Sequence, residues 1–266
     1  MFKTSNNLSL SGVGGFMKII PLSEGSFTID KSKVFVPFAL DDDKLHKRPT
    51  GSLLVEIQPF LVITSNDVIL LDTGLGFSLN EKLQIYENLE KNGINPSQVT
   101  KVLLSHLHKD HAGGVSVKDK LGHYSLSFEK ARYYLQKEEL DYSFETGFPS
   151  YISDEFSILV NNNKTVLLPN SGAIDNYIHY ELVGGHSPYH QAFWIKENGE
   201  TIFFGGDVAP QLQQMKSKFV AKYDFDGKKS MELRQKWWHQ GQAENWTFLF
   251  YHDINTPIFK AGRASL

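Results

Sequence analysis

The pattern of apolar and polar positions along the chain predicts an alternation of strands and helices. Short apolar or β-branched runs, which are typical of strands, lie at 18–22, 26–29, 33–38, 53–64, 67–71, 101–104, 131–135, 165–168, 178–183, 191–195, 201–204 and 247–251. Apolar residues recur at helical spacing in 78–92 and in 227–240. Each half of the chain is thus a set of strands followed by a helix. This pattern predicts a mixed α/β (α+β) fold in which two sheets pack face to face with helices outside.

Residues 105–114 read Ser-His-Leu-His-Lys-Asp-His-Ala-Gly-Gly and follow directly on an apolar run. They place His106, His108, Asp110 and His111 within six positions. Imidazole and carboxylate are the usual protein ligands of a divalent metal such as zinc. A strand that ends in such a cluster is interpreted as one half of a metal site. The alternative is a solvated polar turn that is rich in histidine.

Three further apolar runs end in a residue of ligand type, namely His186, Asp207 and His252, and the first two follow paired glycines. Glycines let neighbouring backbones approach closely, so several strands can deliver side chains to one point. Each residue alone is explained as an ordinary strand end. The same holds for Asp72, which follows the run 67–71 in the turn Asp-Thr-Gly-Leu-Gly. Because all of them end predicted strands, their coincidence with the histidine cluster predicts a metal centre.

The length and composition of the chain set its domain organisation. With 266 residues, of which 41% are apolar, the chain can bury the core of one large domain. We expect that single domain to span 17–266. Residues 1–16 are rich in serine, asparagine and glycine and are predicted to be a disordered tail, because Met17 opens the first convincing strand.

The charge and the cysteine content exclude several classes of function. The formal net charge of −3 and the pI near 6.4 argue against nucleic acid or an anionic membrane as a partner. No apolar run has the length of a membrane span or of a signal-peptide core, so we expect a cytoplasmic protein that acts on a small molecule. The absence of cysteine excludes disulfides, thiolate ligands and cysteine nucleophiles. The oligomeric state is left open, a homodimer included.

The ordered set His-X-His-X-Asp-His, a later His, an Asp and a final His, with an Asp-Thr-Gly turn before it, resembles the metallo-β-lactamase superfamily over 17–260. The resemblance implies a four-layer αββα sandwich with two metal ions at one edge, between the sheets. The first ion is then held by three imidazoles: His106, His108 and His186. The second is held by two imidazoles and a carboxylate: Asp110, His111 and His252. Asp207 would bridge both ions, and Asp72 and Ser105 would orient the ligands from behind.

The resemblance also implies an activity. A metal-bridging hydroxide would attack an ester, a lactone or a related bond of a small molecule, and Asp110 would transfer the proton to the leaving group. Zinc is the expected metal, with manganese, cobalt and iron as alternatives. The run Gly-Asp-Val-Ala-Pro is similar to that of the lactonase-like and organophosphate-hydrolase-like branch. However, Pro210 stands where the lactonases carry a substrate-contacting tyrosine, three residues past the bridging aspartate.

Three other functions remain open at this stage. A mononuclear iron dioxygenase acting on a persulfide would need only His106, His108 and His186. A thioesterase of the glyoxalase II type would use both ions, but its C-terminal helical substrate domain has no obvious counterpart in this chain. A metal-stabilised binding protein would not need the open coordination position of a catalytic site.

Two features near the cluster have no assigned role. The aromatic stretch 141–152 either walls a pocket or packs on the core, as such residues do more often. Lys109, in the middle of the histidine cluster, is expected to be solvated.

Overall fold

The computed structural model describes residues 17–79 and 82–262, so the predicted disordered tail 1–16 lies outside the described residues. The strands are β1 (Lys18–Pro21), β2 (Gly25–Ile29), β3 (Val36–Pro37), β4 (Leu53–Ile57), β5 (Phe60–Ile63), β6 (Val68–Leu71), β7 (Ser78–Leu79), β8 (Lys82–Leu83), β9 (Lys101–Leu103), β10 (Ser116–Lys118), β11 (Tyr124–Leu126), β12 (Arg132–Gln136), β13 (Thr165–Leu168), β14 (Ser171–Ile174), β15 (Ile178–Leu182), β16 (Gln191–Glu197), β17 (Glu200–Phe204), β18 (Thr247–Leu249) and β19 (Ile258–Lys260). The helices are α1 (Gln84–Lys91), α2 (Lys109–Ala112), α3 (Lys137–Thr146), α4 (Ser153–Phe156), α5 (Leu212–Met215) and α6 (Gly227–Glu244). Single 3₁₀ turns lie at Leu45–Lys47, Pro96–Gln98, Gly113–Val115, Ser157–Leu159 and Gly206–Val208.

Two six-stranded sheets form the body of the fold. The first has the strand order β1-β5-β6-β9-β12-β13, in which β6, β9, β12 and β13 run parallel. The second has the order β14-β15-β16-β17-β18-β19 and is antiparallel except for the pair β17 and β18. A smaller three-stranded sheet, β3-β2-β4, lies beside them in the first half of the chain.

Side chains of the central strands are buried on both faces of each sheet, in alternation. In β6, Ile69 belongs to the core shared by the two sheets, whereas Leu70 belongs to the core under α1 and α3. In β17, Phe204 faces the shared core, and Phe203 packs outward against Trp237 of α6, with ring centroids 4.9 Å apart. Because strand side chains alternate with a period of two, each sheet contributes to an inner and an outer layer. The predicted αββα sandwich is confirmed.

Among the predicted elements whose bounds differ in the structure, two are organised differently. The run 53–64, predicted as one strand, is divided between β4, which pairs with β2, and β5, which pairs with β1 and β6. Pro59 lies at the division, where it has no backbone N–H to donate to a ladder. The predicted helix 78–92 begins only at Gln84, after the short pair β7 and β8. The prediction of one domain over 17–266 stays a prediction.

The two parallel pairs bring the candidate ligands to one edge of the sandwich. Asp72 follows β6 and Ser105 follows the neighbouring parallel strand β9, while Asp207 and His252 follow the parallel pair β17 and β18. Carboxyl ends of adjacent parallel strands share an edge of the sheet, which is where such folds place their sites. Within the described ranges, no helix is long and apolar enough to cross a membrane.

The loop after β6 lies in close backbone contact with the end of the histidine cluster. Gly76 has a φ of +70°, and a Cβ there would lie 2.2 Å from the carbonyl oxygen of Gly113. A Cβ at Gly114 would likewise lie 2.2 Å from the carbonyl oxygen of Thr73. Because neither contact leaves room for a side chain, the glycines let this loop lie against the cluster that carries the predicted ligands.

Replacing Gly76 with alanine is expected to lower the free energy of unfolding by about 3 kcal/mol, because backbone strain adds to a clash with rigid backbone. Gly93 is the matched control, since it has a φ of +77° but no atom within 4 Å of an added Cβ. Gly93→Ala should cost only about 1 kcal/mol. Urea denaturation of both variants measures the difference. Equal costs would show that the close contact contributes nothing.

Candidate metal centre

The first group of ligand-type side chains consists of three imidazoles from two loops, His106 and His108 after β9 and His186 after β15. Nδ1 of His108 lies 3.0 Å from Nε2 of His106 and 3.0 Å from Nε2 of His186. Burial, helped by the neighbouring imidazoles, lowers the pKa of His106 and of His108 well below the usual value. Both rings are therefore neutral, which is the form that binds a metal.

The second group contains Asp110 and His111 of α2 together with Asp207 and His252. Nε2 of His111 and Nε2 of His252 each lie 3.5 Å from Oδ2 of Asp110. The same two nitrogens lie 3.1 Å and 3.0 Å from Oδ1 of Asp207. All four side chains are buried, so two carboxylates and two imidazoles converge on one point away from bulk water.

Asp207 lies between the two groups. Its Oδ1 faces His111 and His252, and its Oδ2 lies 3.3 Å from Nε2 of His186 in the first group. Burial favours the protonated form of Asp207, but the positive charge that His252, His111 and His186 carry when protonated outweighs it and lowers the pKa of the carboxyl well below its usual value. Asp207 is therefore an ionised carboxylate whose two oxygens face different groups.

Asp72 and Ser105 lie behind the ligands and fix the orientation of two rings. Oδ2 of Asp72 accepts hydrogen bonds from Nδ1 of His111 and from Oγ of Ser105, both at 2.7 Å, and Oδ1 accepts from the backbone N–H of Ser105 at 2.7 Å. Oγ of Ser105 accepts in turn from Nδ1 of His106 at 3.0 Å. Since Nδ1 of each ring carries the proton, Nε2 of His106 and of His111 presents a lone pair to its group.

His252 and His186 are oriented in the same way, through a hydrogen bond from Nδ1. Nδ1 of His252 donates to the backbone carbonyl of Glu56 at 2.7 Å, and a carbonyl can only accept. Nδ1 of His186 donates to Oδ1 of Asp224 at 2.9 Å. The side chain of Asp224 is buried, so its carboxylate holds this ring without competition from water. In both histidines the free lone pair is on Nε2, which faces the groups described above.

A metal ion fits the chemistry of this donor set. Nε2 of His111 and Oδ1 of Asp207 are buried without a hydrogen-bond partner, although they lie only 3.1 Å apart. When His111 is neutral, with its proton on Nδ1, both atoms offer lone pairs to the same space, an arrangement that is costly unless a cation lies there. Against the effect of burial, the carboxylates of Asp207 and Asp110 raise the pKa of His111 well above its usual value, so they favour positive charge at this same point. Imidazole and carboxylate donors suit zinc and other divalent first-row metals. The residues present therefore fit a metal in each group.

Glu139 of α3 is a site residue that the sequence did not reveal. One carboxylate oxygen accepts from the backbone N–H of Leu107 at 3.0 Å and from the hydroxyl of Tyr151 at 3.2 Å, and the other accepts from the hydroxyl of Ser187 at 2.9 Å. Leu107 lies between two histidines of the first group, and Ser187 follows the third. Glu139 therefore connects the two loops that carry this group. A glutamate in the first turn of a helix gives no sign of such a role in the sequence.

Tyr251 and His190 also support the ligands without having been predicted. Tyr251 stacks on His111, with ring centroids 4.0 Å apart, and its hydroxyl donates to the carbonyl of Asp110 at 2.6 Å. Nε2 of His190 accepts from the backbone N–H of Asp207 at 3.2 Å. Both side chains are fully buried. The only sequence signal was their proximity to His252 and His186 along the chain.

Comparison with known proteins agrees with this arrangement. The profile of a protein family described as the metallo-beta-lactamase superfamily matches residues 56–237. That span includes all but one of the predicted ligands and more than half of the chain. The chain belongs to the metallo-beta-lactamase superfamily. No curated protein sequence matches it.

Three solved structures share the fold over about nine-tenths of the chain at low sequence identity. A probable metal-dependent hydrolase from Staphylococcus aureus is 23% identical with a TM-score of 0.75, covering 92% of this chain and 92% of that chain. AbOPH, a hydrolase in the beta lactamase superfamily, is 22% identical with a TM-score of 0.72 over 93% of this chain and 90% of that chain. AidC, a dizinc quorum-quenching lactonase, is 21% identical with a TM-score of 0.70, covering 92% of this chain and 90% of that chain.

In this superfamily member, a cavity of about 650 Å³ opens onto the two groups of ligand-type side chains. Pro210, which stands where lactonases of the superfamily carry a tyrosine, lines it. A tyrosine from another part of the chain, Tyr223, lines it as well, with its ring centroid 6.1 Å from that of His186. Burial raises the pKa of Tyr223 to about 12, so its hydroxyl stays protonated at neutral pH.

The aromatic stretch 141–152 contributes to both the core and the cavity. Tyr151 is buried and lies against His108, with ring centroids 4.8 Å apart. Ser150 lines the cavity, and Phe148 is 82% exposed. The core interpretation therefore holds for Tyr151, and the stretch reaches the cavity through Ser150 rather than through an aromatic side chain.

Proposed function

We propose that the chain is a dinuclear metal-dependent hydrolase that cleaves an ester, a lactone or a related bond of a small molecule. The observation that carries this proposal is the position of Asp207, whose two oxygens face the two ligand groups at 3.0–3.3 Å. A carboxylate so placed suits a bridge between two ions. The membership of the chain in the superfamily, and the fold that it shares with a dizinc lactonase, support the same activity.

The two groups divide the ligands between two ions. His106, His108 and His186 would hold one ion; Asp110, His111 and His252 would hold the other; and Asp207 would hold both. Two divalent ions, zinc in the first place, would lower the pKa of a water molecule to about 7 and polarise the substrate carbonyl as Lewis acids. The buried partners Asp72, Ser105 and Asp224 keep the imidazoles in the tautomer that this chemistry requires.

Asp110 is the residue we assign to proton transfer. It lines the cavity, and its Oδ2 is 3.5 Å from both imidazoles of its group. In hydrolysis the oxygen of water adds to the acyl carbon, and the bond from that carbon to the leaving oxygen breaks. Asp110 would take a proton from the attacking water and pass it to the leaving oxygen. The hydroxyl of Tyr251 fixes the backbone of Asp110 through its carbonyl.

Metal analysis combined with a substrate panel tests the proposal. Protein purified without added metal is expected to contain about two zinc, manganese or cobalt ions per chain. It should hydrolyse at least one class in a panel of lactones, aryl esters, thioesters and phosphotriesters, and a chelator should abolish that turnover. One iron per chain with oxygen consumption on a persulfide would replace the proposal with the dioxygenase alternative. Preference for thioesters would instead favour the glyoxalase II type.

A further inference from the structure

The cavity that opens onto the metal groups is lined by an excess of positive side chains. Four lysines line it: Lys31, Lys33, Lys109 and Lys222. Apart from the two aspartates of the metal groups, the acidic residue on its wall is Asp30. Within residues 17–79 and 82–262, none of these four lysines forms an ion pair with a carboxylate; the lysines that do are at other positions. The chain as a whole has a formal net charge of −3, so this concentration of unpaired cations is local.

Lys109 is the lysine with the most defined position, and it is not simply solvated as expected from the sequence. It lies between His108 and Asp110 along the chain, and its ammonium donates to the carbonyl of Lys33. The same ammonium lies 5.8 Å from the ring centroid of Phe35 and 6.0 Å from that of Phe148. One carbonyl uses one of its three N–H donors, so the others are available to an acceptor in the cavity.

Two carboxyls, those of Asp110 and of Glu155 in α4, act on the charge of Lys109 through space. Within the described residues neither carboxyl forms an ion pair with Lys109, and Asp110 belongs to the second ligand group. Burial raises the pKa of Glu155 to about 8, which leaves that carboxyl largely neutral. Lys109 and Lys33 therefore line the cavity as neighbouring lysines that have no ion pair in the described part of the chain.

Much of the remaining wall of the cavity is apolar. Ile29, Leu54 and Val55 from the small sheet β3-β2-β4 form one side, and Phe219 and Val220 form another. The second side is held in place by Arg234 of α6, which is fully buried and donates to the carbonyl of Phe219 at 2.5 Å. The cavity thus combines apolar walls with unpaired ammonium groups next to the metal ligands.

We propose that the substrate carries an anionic group, in the first place a carboxylate, on an apolar chain, and that Lys109 and Lys33 select it. This inference rests on the proposed hydrolase function and names its substrate class. An ammonium group in a partly buried, apolar cavity attracts an anion more strongly than one on the open surface, because water screens it less. A neutral ester of the same length gains nothing from these groups.

Two esters of equal length test the inference in the metal-loaded protein: the anionic 4-nitrophenyl hydrogen suberate and the neutral 4-nitrophenyl octanoate. The wild type is expected to show a kcat/KM for the anionic ester at least about tenfold higher at low salt, a factor that corresponds to about 1.4 kcal/mol. The preference should fall as sodium chloride is added. An ester ending in a phosphonate identifies whether the pocket prefers a phosphate-type anion to a carboxylate.

Variants assign the effect to the named residues. Lys109→Met should remove most of the preference while changing the rate for the neutral ester less than about threefold, and Lys109→Arg should restore it. Lys33→Asn is a second test, because Lys33 has a φ of +60° that asparagine tolerates. Lys130→Met, at an exposed position away from the cavity, removes the same charge and should leave both rates at wild-type values.

The outcomes separate the inference from the proposed function. Equal rates for the two esters in the wild type, or a preference that survives both Lys109→Met and Lys33→Asn, would overturn the inference and leave the hydrolase intact. No turnover of any ester would overturn the hydrolase. Calorimetric titration with suberic acid monoamide and with octanamide then decides the inference by itself: tighter binding of the anionic amide, lost in Lys109→Met, supports it, and equal binding refutes it.

Discussion

Replacing Asp207 with asparagine is expected to lower turnover by at least about a thousandfold, the effect of losing about 4 kcal/mol of stabilisation. The side chain keeps its shape, but one of the two oxygens that face the ligand groups becomes an amide nitrogen with two hydrogens. Those hydrogens would point at His111 and His252, or at His186, whose Nε2 atoms carry lone pairs. We therefore also expect the metal content to fall below two ions per chain, as measured by elemental analysis.

The same variant should remain folded. Nε2 of His190 accepts from the backbone N–H of Asp207, and that bond does not depend on the side chain. Asp226→Asn is the matched control, because Asp226 caps α6 through Lys229 and asparagine caps a helix equally well. It removes one negative charge without touching the ligands, so turnover and metal content should stay at wild-type values. Full activity in Asp207→Asn would exclude a bridging role for this carboxylate.

The positions of the seven predicted ligands could be read from the chain because they follow the ends of four apolar runs. The structure brings the seven together, in two groups whose donor atoms lie within 4.8 Å of one another. The physical reason is that β6 and β9, and likewise β17 and β18, run parallel, so their carboxyl ends share an edge. Apolar periodicity predicts where strands end, and the ligands of this site follow strand ends.

Asp224 shows where this reasoning fails. It lies just before α6, where an aspartate is expected to cap the helix. The structure uses Asp226 as the cap, which leaves Asp224 to accept from His186 across 38 positions of the chain. Glu139 was overlooked, and Lys109 was expected to be solvated, for a related reason. Each lies on a helix whose pattern is compatible with exposure, and only the packing of distant loops determines what the side chain contacts.

The second large effect, on metal affinity, is expected from replacing Asp72. Asp72 is not one of the seven predicted ligands and acts through its hydrogen bond with His111. In Asp72→Asn the amide group that replaces Oδ2 can only donate, so it requires an unprotonated Nδ1 on His111. The proton of that ring moves to Nε2, the atom that faces Asp110 and Asp207. We expect the affinity for the second metal ion to fall by about 10–100-fold, measured by competition with a chelator and without reference to activity.

Asp67 lies at the other end of β6 and separates this effect from a general loss of stability. Asp72 has a φ of +56°, which asparagine tolerates, so Asp72→Asn should keep its backbone. Asp67 accepts from Lys101 at 2.5 Å in a buried ion pair, and Asp67→Asn should lower the free energy of unfolding by about 3 kcal/mol. Because Asp67 is remote from the ligands, its variant should bind both ions with unchanged affinity. If Asp72→Asn also did so, the proton on Nδ1 of His111 would not determine metal binding.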